Sequence, residues 1–396
     1  MKYCVLIIDG AAGLPLTEHG DKTCLEMAHT PNLDAMAAEA TLGLVRTIPA
    51  GLEPSSSNAC LSVLGYDPEV HRLGRAAIEA RSLNIPISNG EVVFRCNLVS
   101  INGGRMADYS AGHINSDEAH HLINALNKAM GSDTVHFYPG LSYRHIVKIT
   151  GREDALLAGC TPAHDIPGKP VDEFMPRGSG SDLLRELMKR SEDVLREHPV
   201  NLARQSRGEP PANMVWLFWG SGRESDIPAF KEVYGLNAAV TSAVDVIRGL
   251  AQMMGMKVLE IPGVKDGMDN DFAGQASGAL AALREYDLIV IHIEATDEAG
   301  HTGSIEDKIE AIHKIDSEVI SQIRAWREDA LRVLVMPDHP TPIEVRTHTA
   351  DPVPFMLWGK GFAPNGAKRF TEKESTQRGL FLDPGYNIMG RLIEEN

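Results

Sequence analysis

The chain has 396 residues, of which 43% are hydrophobic and 23% are charged, an ordinary composition for a soluble globular protein. Its 54 acidic and 38 basic side chains give a formal net charge of −16, which argues against nucleic acid or an anionic membrane as a partner. A chain of this length exceeds the usual size of one hydrophobic core, so two domains are expected.

The first apolar run, YCVLIID at residues 3–9, is too short for a secretory signal or a membrane span and predicts a core strand. The five cysteines include no CxxC pair, and an odd number cannot pair completely. We therefore expect buried free thiols in a reducing, cytoplasmic protein. The cysteines are Cys4, Cys24, Cys60, Cys96 and Cys160.

Four further apolar runs, rich in β-branched residues, are typical of strands that are buried on both faces. They cover residues 215–219, 257–261, 287–297 and 331–339. Between them, residues 30–40 and 304–326 have helical patterns, the second with isoleucines at helical spacing after the capping candidate Ser304. Alternating strands and helices predict an α/β fold with a largely parallel sheet flanked by helices.

The middle of the chain has shorter runs and loops rich in glycine and proline, such as TPAHDIPGKP at 161–170. This change predicts a smaller α/β domain, residues 84–228, inserted into a core domain of residues 1–83 and 229–396.

Three of the apolar runs end in residues that can bind metal. Asp9 ends the first, Asp297 ends the run at 287–297, and Asp338 with His339 ends the run at 331–339. His301 and His348 follow a few residues later. Ligands in open α/β sheets bind beyond the carboxyl ends of the strands, so these residues are expected to converge.

Carboxylate and imidazole groups without a thiolate suit a pair of Mn²⁺ or Zn²⁺ ions, which can clamp both oxygens of a phosphoryl transfer. Taken singly, each residue has a simpler interpretation, because an aspartate after a strand often caps the next helix. Two bound metal ions can also activate a serine hydroxyl. The segment PSSSNACLSVLGYDP, residues 54–68, has three adjacent serines. A serine cluster is otherwise a common turn element.

Several segments resemble the archaeal-type branch of cofactor-independent phosphoglycerate mutase, in the alkaline phosphatase superfamily. They are IIDGAAGLPLTEHG (7–20), LSVLGYDP (61–68), YSAGHIN (109–115), EATDEAGHTG (294–303) and MPDHPTPIEVRTHTADPVPF (336–355). The resemblance extends over nearly the whole chain. It implies an alkaline-phosphatase-like core, and an inserted domain that grips a small phosphorylated substrate.

The resemblance also implies a two-metal centre without 2,3-bisphosphoglycerate, with Mn²⁺ favoured and Mg²⁺, Zn²⁺ or Co²⁺ as alternatives. It assigns one ion to Asp297, His301 and His348. It assigns the other to Asp9, Asp338, His339 and the nucleophile Ser56, with Ser55 and Ser57 as alternative registers. That serine would take the phosphate from 3-phosphoglycerate and return it to the other hydroxyl.

In the inserted domain, the resemblance makes His113 the candidate acid, base or phosphate contact. Five further residues are candidates for binding phosphate or carboxylate, although cations in polar loops are more often simply solvated. They are Arg95, Arg144, Asp165, Lys169 and Arg223.

Two segments depart from the family pattern. Ser57 stands where relatives have an acidic residue after the nucleophile, and residues 74–80 read GRAAIEA in place of GRGPLEA. These departures keep alternatives open on the same scaffold. The alternatives are a homoserine kinase-like phosphotransferase, a phosphatase, and a catalytically silent metal-binding protein. The oligomeric state cannot be read from the sequence.

Overall fold

The elements are taken from a computed structural model, which describes residues 1–223 and 227–394. Within these ranges the strands are β1 (Lys2–Ile8), β2 (Thr41–Val45), β3 (Glu91–Asn102), β4 (Arg105–Asp108), β5 (Val135–Tyr138), β6 (Arg144–Thr150), β7 (Met214–Gly222), β8 (Ala238–Thr241), β9 (Lys257–Val258), β10 (Leu288–Ile293), β11 (Leu331–Met336), β12 (Val353–Gly359) and β13 (Phe381–Leu382). The helices are α1 (Cys24–Met27), α2 (Pro31–Ala37), α3 (Ser56–Val63), α4 (Arg75–Ser82), α5 (Ser116–Met130), α6 (Ser181–Leu195), α7 (Pro199–Ser206), α8 (Phe230–Tyr234), α9 (Asp245–Met253), α10 (Phe272–Ala282), α11 (Ala295–Thr302), α12 (Ile305–Lys314), α13 (Ser321–Ala325), α14 (Glu372–Arg378) and α15 (Ile388–Ile393).

The chain divides into two compact units, Met1–Arg72 with Ile227–Asn396, and Leu73–Asp226. The first unit contains an eight-stranded sheet of order β13-β2-β12-β11-β1-β10-β8-β9. Its central pairs, β1 with β10 and β1 with β11, are parallel, whereas β12 runs antiparallel to both neighbours. This arrangement confirms the predicted α/β class with a largely parallel sheet.

The register of the central strands determines where the site forms. Ile8 pairs with Ile293, and Ile7 pairs with Met336, so the carboxyl ends of β1, β10 and β11 reach the same edge of the sheet. All three strands are buried almost throughout, because helices of the first unit cover the sheet. The residues that follow them therefore emerge side by side.

The second unit has a five-stranded sheet whose strands all pair antiparallel. The long strand β3 pairs with β4, β6 and β7, and α5 and α6 contribute to the hydrophobic core of this unit. Apolar runs alone do not distinguish buried antiparallel strands from parallel ones, and the run at 215–219 lies in this antiparallel sheet as part of β7.

The sequence predicted a domain boundary after residue 83, whereas the second unit begins earlier, at Leu73. Helix α4 groups with the second unit, because Ala76, Ala77 and Ala80 pack with Val93 of β3 and Ile146 of β6. The segment GRAAIEA, which departs from the family pattern, therefore begins the second unit.

The helix predicted over 304–326 has an irregular middle. It begins at Ile305 with the Ser304 hydroxyl accepting the amide N–H of Asp307, as the capping pattern predicted. A π-helical stretch, Ile315–Ile320, then separates α12 from α13. There the carboxylate of Asp316 accepts the backbone N–H groups of Asn32 and Leu33 at the start of α2, which ties the two helices together.

All five cysteines are free thiols, and four of them are buried. Across residues 1–223 and 227–394, no helix combines the length and the apolar character that crossing a bilayer would need.

His145 of β6 makes the stability of the second unit depend on pH. It is buried, its Nδ1 accepts the N–H of Gly140 at 3.0 Å, and burial, with help from Arg95 and His120, lowers its pKa to about 3. In the unfolded chain this histidine has a pKa near 6.5, so as the pH falls the unfolded state takes up the proton before the folded state does. The stability that the protein has above pH 6.5 is therefore lost progressively below that pH. Between pH 7 and pH 5 this one group is expected to cost about 2 kcal/mol of unfolding free energy.

The matched variant is His145→Asn, whose carbonyl oxygen can accept the same N–H without titrating. Urea unfolding at pH 7 and pH 5 is expected to show a smaller loss of stability for the variant than for the native protein. Equal losses would mean that His145 does not cause the dependence.

Candidate metal centre and active site

The first group of candidate ligands is built on α11, which starts directly after β10. Asp297 and His301 are one turn apart on this helix, with His301 Nε2 3.0 Å from Asp297 Oδ2. The loop after β11 adds His348, whose Nε2 lies 3.5 Å from Asp297 Oδ1 and 3.0 Å from His301 Nε2. The three residues that the resemblance assigned to one ion are thus neighbours.

The second group lies at the ends of β1 and β11. His339 Nε2 is 3.5 Å from Asp9 Oδ1 and 3.3 Å from Asp338 Oδ2, and all three side chains are fully buried. Asp338 is held in place by the backbone N–H groups of Gly10 and His339, which both donate to its Oδ1. These residues too were assigned to a single ion.

The two groups are directly connected. The rings of His339 and His348 stack with centroids 3.9 Å apart. The hydroxyl of Thr341 donates to Asp297 Oδ1 and lies 3.3 Å from His339 Nδ1. His339 can therefore contribute to either group, and Asp297, His339 and His348 also form a compact set of donor atoms.

The three adjacent serines have different surroundings at the start of α3. Ser55 caps the helix, because its hydroxyl accepts the N–H of Asn58, and the Ser57 hydroxyl lies 3.1 Å from that of Ser55. The Ser56 hydroxyl lies 3.2 Å from His339 Nε2. Of these three hydroxyls, that of Ser56 contacts the candidate metal ligands. Ser56 is the serine that the resemblance assigns as the nucleophile.

The charged side chains of the centre perturb one another strongly. Burial, together with the charges of Asp338 and Asp297, raises the pKa of Asp9 well above its usual range. Burial would also raise the pKa of Asp297, but hydrogen bonds from His301 and His348 outweigh it and hold that pKa well below normal. The hydrogen bond to Asp297 raises the pKa of His301 to about 9. Cations bound here would compete with these protons.

The donor set fits divalent cations. Asp9 is fully buried, yet neither carboxylate oxygen has a hydrogen-bond partner among the described residues. Buried carboxylates of this kind need a compensating positive charge. Buried carboxylate oxygens and imidazole nitrogens converge here, which is the chemistry expected of ligands for Mn²⁺ or Zn²⁺.

A glycine makes the close approach of these groups feasible. Gly10 follows Asp9 with a φ of +61°, and a Cβ atom there would lie 2.5 Å from Asp297 Oδ1 and 2.6 Å from Thr341 Oγ1. Any larger residue would push against a candidate ligand as well as strain the backbone.

In the second unit, Arg95 is buried and already paired. Its guanidinium forms an ion pair with Glu79 of α4, and its Nε donates to Asn97 Oδ1 at 2.7 Å. Burial would raise the pKa of Glu79, but the ion pairs with Arg95 and Arg75 outweigh it and lower that pKa. This buried and already paired environment differs from the accessible one expected of an arginine that binds substrate.

The other candidates in the second unit are more accessible than Arg95. His113 and Arg144 both contact the ring of Tyr143, and His113 is exposed with a φ of +49°. Lys169 is exposed, with its Nζ 3.0 Å from the backbone carbonyl of Asp165. Arg223 donates to Asn89 Oδ1 at 2.9 Å. Two pairs of candidates are thus brought together.

The comparison with known proteins gives a consistent result. The family model for 2,3-bisphosphoglycerate-independent phosphoglycerate mutase matches residues 37–201. The chain is 44% identical over 396 residues to the enzyme of that name from Methanothrix thermoacetophila, covering 99% of this chain and all of the relative. It is 42% identical over 398 residues to that of Methanosarcina acetivorans, covering both chains completely. This chain belongs to the 2,3-bisphosphoglycerate-independent phosphoglycerate mutase family.

The fold agrees with a solved structure at lower sequence identity. A protein from Pyrococcus horikoshii superposes with a TM-score of 0.83 at 27% identity, covering 99% of this chain and 96% of that one. The resemblance to the phosphoglycerate mutase family that short segments indicated is therefore confirmed. The match extends through the segments where Ser57 and GRAAIEA depart from the family pattern.

His292 and Glu294 were not predicted from the sequence as site residues of this phosphoglycerate mutase family member. They end the run IVIHIE, and both lie beside Asp9. The available signal was their spacing, because residues two apart on a strand point to the same side. In a strand that is otherwise uniformly apolar, two polar residues on one side would have indicated a function.

Proposed function

We propose that this protein interconverts 3-phosphoglycerate and 2-phosphoglycerate through a phosphoserine at Ser56, without free 2,3-bisphosphoglycerate. The observation that carries the proposal is the Ser56 hydroxyl, 3.2 Å from His339 inside a double set of metal ligands, in a chain with full-length phosphoglycerate mutase relatives. The reaction class is an isomerisation by intramolecular phosphoryl transfer.

Seven residues of the first unit would hold two divalent ions, with Mn²⁺ favoured by the mixed carboxylate and imidazole donors. They are Asp9, Ser56, Asp297, His301, Asp338, His339 and His348. When bound, such ions would stabilise the serine alkoxide and the charge on the transferring phosphoryl group.

Ser56 would accept the phosphoryl group from one hydroxyl of the substrate and return it to the neighbouring hydroxyl. Its position at the N-terminus of α3 is favourable, since the phosphate would lie near the free N–H groups of the first helical turn. The Ser56 hydroxyl and His339 Nε2 lie 3.2 Å apart, so both would serve the same ion, which would hold the hydroxyl in place for attack.

The second unit would supply the contacts that retain the glycerate between the two transfers. Among its candidates, His113 and Arg144 form the more promising pair, because both contact Tyr143 and can present a donor and a permanent cation together. Asp165, Lys169 and Arg223 are proposed as further contacts. For Arg95, its buried ion pair favours a structural role instead.

The decisive assay couples product formation to enolase in the absence of 2,3-bisphosphoglycerate. With Mn²⁺, the protein is expected to produce 2-phosphoglycerate from 3-phosphoglycerate, since Ser56 would carry the phosphoryl group between the two hydroxyls. EDTA is expected to abolish the activity, and added Mn²⁺ is expected to restore it.

Two parallel assays test the alternatives that Ser57 keeps open. One measures phosphate release from phosphoglycerate, and the other measures phosphorylation of homoserine by ATP. A strong signal in either one, without an enolase-coupled signal, would contradict the proposed function and assign the scaffold to a phosphatase or a kinase.

A further inference from the structure

A short segment of the second unit, residues 110–114, turns in the hand opposite to that of ordinary helices. Ala111, Gly112 and His113 follow one another with φ angles of +51°, +66° and +49°, and the N–H of Ile114 donates to the carbonyl of Ser110 at 3.4 Å. We call this segment the left-handed turn. Residues with a Cβ atom adopt this conformation reluctantly and usually singly, so consecutive ones need support from their surroundings.

Asp108, the last residue of β4, supplies part of that support. Its Oδ1 accepts both the N–H and the hydroxyl of Ser110 at 2.7 Å, and its Oδ2 accepts the N–H of Gly112 at 3.0 Å. The Ser110 hydroxyl in turn accepts the N–H of His113 at 3.2 Å. One carboxylate thus holds the start and the centre of the left-handed turn and, through a serine, its end.

Arg204 of α7 holds the left-handed turn from a second element. Its Nη2 donates to the carbonyl of Ala111 at 2.7 Å, and its Nε donates to the carbonyl of Pro210 at 3.0 Å. Its Nη1 pairs with Glu118 of α5 at 2.6 Å. Arg204 is buried, so moving it away from these partners would leave a charge unpaired in the interior.

The left-handed turn is also tied to the loop that carries Tyr143. The Ser142 hydroxyl donates to the carbonyl of Ile114 at 2.7 Å, and the N–H of Ser142 donates to the Ser116 hydroxyl at 3.0 Å. The rings of His113 and Tyr143 lie edge to face, with centroids 5.8 Å apart. These bonds fix the segments on both sides of that ring contact.

Backbone strain is concentrated in this region. Within residues 1–223 and 227–394, seven residues other than glycine have a positive φ, and three of the seven are Ala111, His113 and Ser142. Strain that buried groups maintain is typical of sites where a side chain must be presented in one orientation. At the end of the left-handed turn, the exposed side chain is the imidazole of His113.

We propose that Asp108 and Arg204 are positioning residues for His113. They stabilise the left-handed turn and so hold the imidazole beside Tyr143, where it contacts the phosphorylated substrate. The hydrogen bonds that hold the turn end on its backbone and on the Ser110 hydroxyl, so they use no atom of the imidazole. The contact with substrate rests on the proposed function, whereas the geometry of the turn does not.

The first test is a double-mutant cycle in the enolase-coupled assay. Asp108→Asn keeps the shape of the side chain but replaces one acceptor oxygen with an NH₂ group, which cannot accept. We expect kcat to fall by about 10²-fold, as small displacements of a group that meets the substrate commonly cause. In a His113→Ala background, Asp108→Asn should change kcat by less than about twofold, because a positioning residue acts through the residue that it positions. Losses that multiply in the double variant would overturn the proposal.

The second test needs no substrate. In protein labelled with ¹³C at histidine, NMR should show a nuclear Overhauser effect between the rings of His113 and Tyr143, and this signal should vanish in Asp108→Asn. The exposed Asp117 of α5 provides the control, because Asp117→Asn makes the same chemical change and should keep both the signal and the rate. A signal that persists in Asp108→Asn, or that is absent from the native protein, would overturn the positioning role.

Ser110→Ala is the second variant in case Asp108→Asn does not fold. It removes only the hydroxyl that links Asp108 to the N–H of His113, so it should also lose the ring signal and lower kcat. An unchanged ring signal in Ser110→Ala would overturn the proposal. A native protein without enolase-coupled activity would contradict the proposed function, and the ring signals would still decide whether Asp108 positions His113.

Discussion

Ser56→Ala is expected to lower kcat by about 10⁴-fold or more, because it removes the atom that would carry the phosphoryl group. Metal content should change little, since Asp9, Asp338 and His339 still supply three ligands of the second group. The enolase-coupled assay measures the rate, and metal analysis of the same preparation shows whether the centre is intact.

The neighbouring serines provide matched controls. Ser57→Ala should keep most of the rate, since the Ser57 hydroxyl contacts Ser55 and not the metal ligands. Ser55→Ala removes a helix cap and should cost about 1 kcal/mol of stability while the protein remains active. Loss of activity in Ser57→Ala combined with full activity in Ser56→Ala would move the nucleophile by one residue.

Arg95→Met is expected to destabilise the second unit by about 3–5 kcal/mol, because it leaves the carboxylate of Glu79 buried without its principal partner. Hydrogen-exchange mass spectrometry of peptides from β3 and α4 would measure the effect in this unit separately from the rest of the chain. Faster exchange in both elements is the expected result.

The double variant Glu79→Met with Arg95→Met tests the structural explanation. Replacing a whole buried ion pair with apolar side chains is often nearly neutral, so the double variant should recover most of the lost stability. If Arg95 instead binds substrate, Arg95→Met would raise KM with normal hydrogen exchange, and the double variant would not recover. That outcome would contradict the structural role.

The convergence of the candidate metal ligands could be predicted from the sequence because these residues follow apolar runs. Parallel strands bring their carboxyl ends to one edge, so Asp9, Asp297 and Asp338 had to converge once the α/β fold was inferred. His301 follows Asp297 by one helical turn, which fixes their proximity locally. The pairing of these residues did not depend on details of packing.

His292 and Glu294 were harder to find because they lie inside the run that predicted β10. A continuous apolar run indicates burial, and a buried histidine in such a strand is usually satisfied by its neighbours. The proximity of His292 to the candidate ligands became visible only when the register placed it opposite the end of β1, 2.9 Å from Asp9. Side-chain register between distant strands is not encoded in local spacing.

The contacts of the second unit could be predicted least. The family resemblance made Arg95 a candidate for binding substrate, but tertiary packing buries it against Glu79, a residue of α4 sixteen positions earlier in the sequence. Arg144 directly follows Tyr143 in the chain, but only the fold brings His113 to the same ring. These contacts depend on packing between distant segments, which local patterns do not specify.

In the proposed reaction, a phosphoryl group resides on Ser56 during turnover. Rapid quenching of the Mn²⁺-loaded protein with 3-phosphoglycerate, followed by peptide mass spectrometry, measures this directly. We expect a phosphorylated peptide with the modification on Ser56, absent from Ser56→Ala and from EDTA-treated protein. Full enolase-coupled turnover with no phosphorylated serine at any quench time, or with the phosphate on a different residue, would contradict phosphoryl transfer through Ser56.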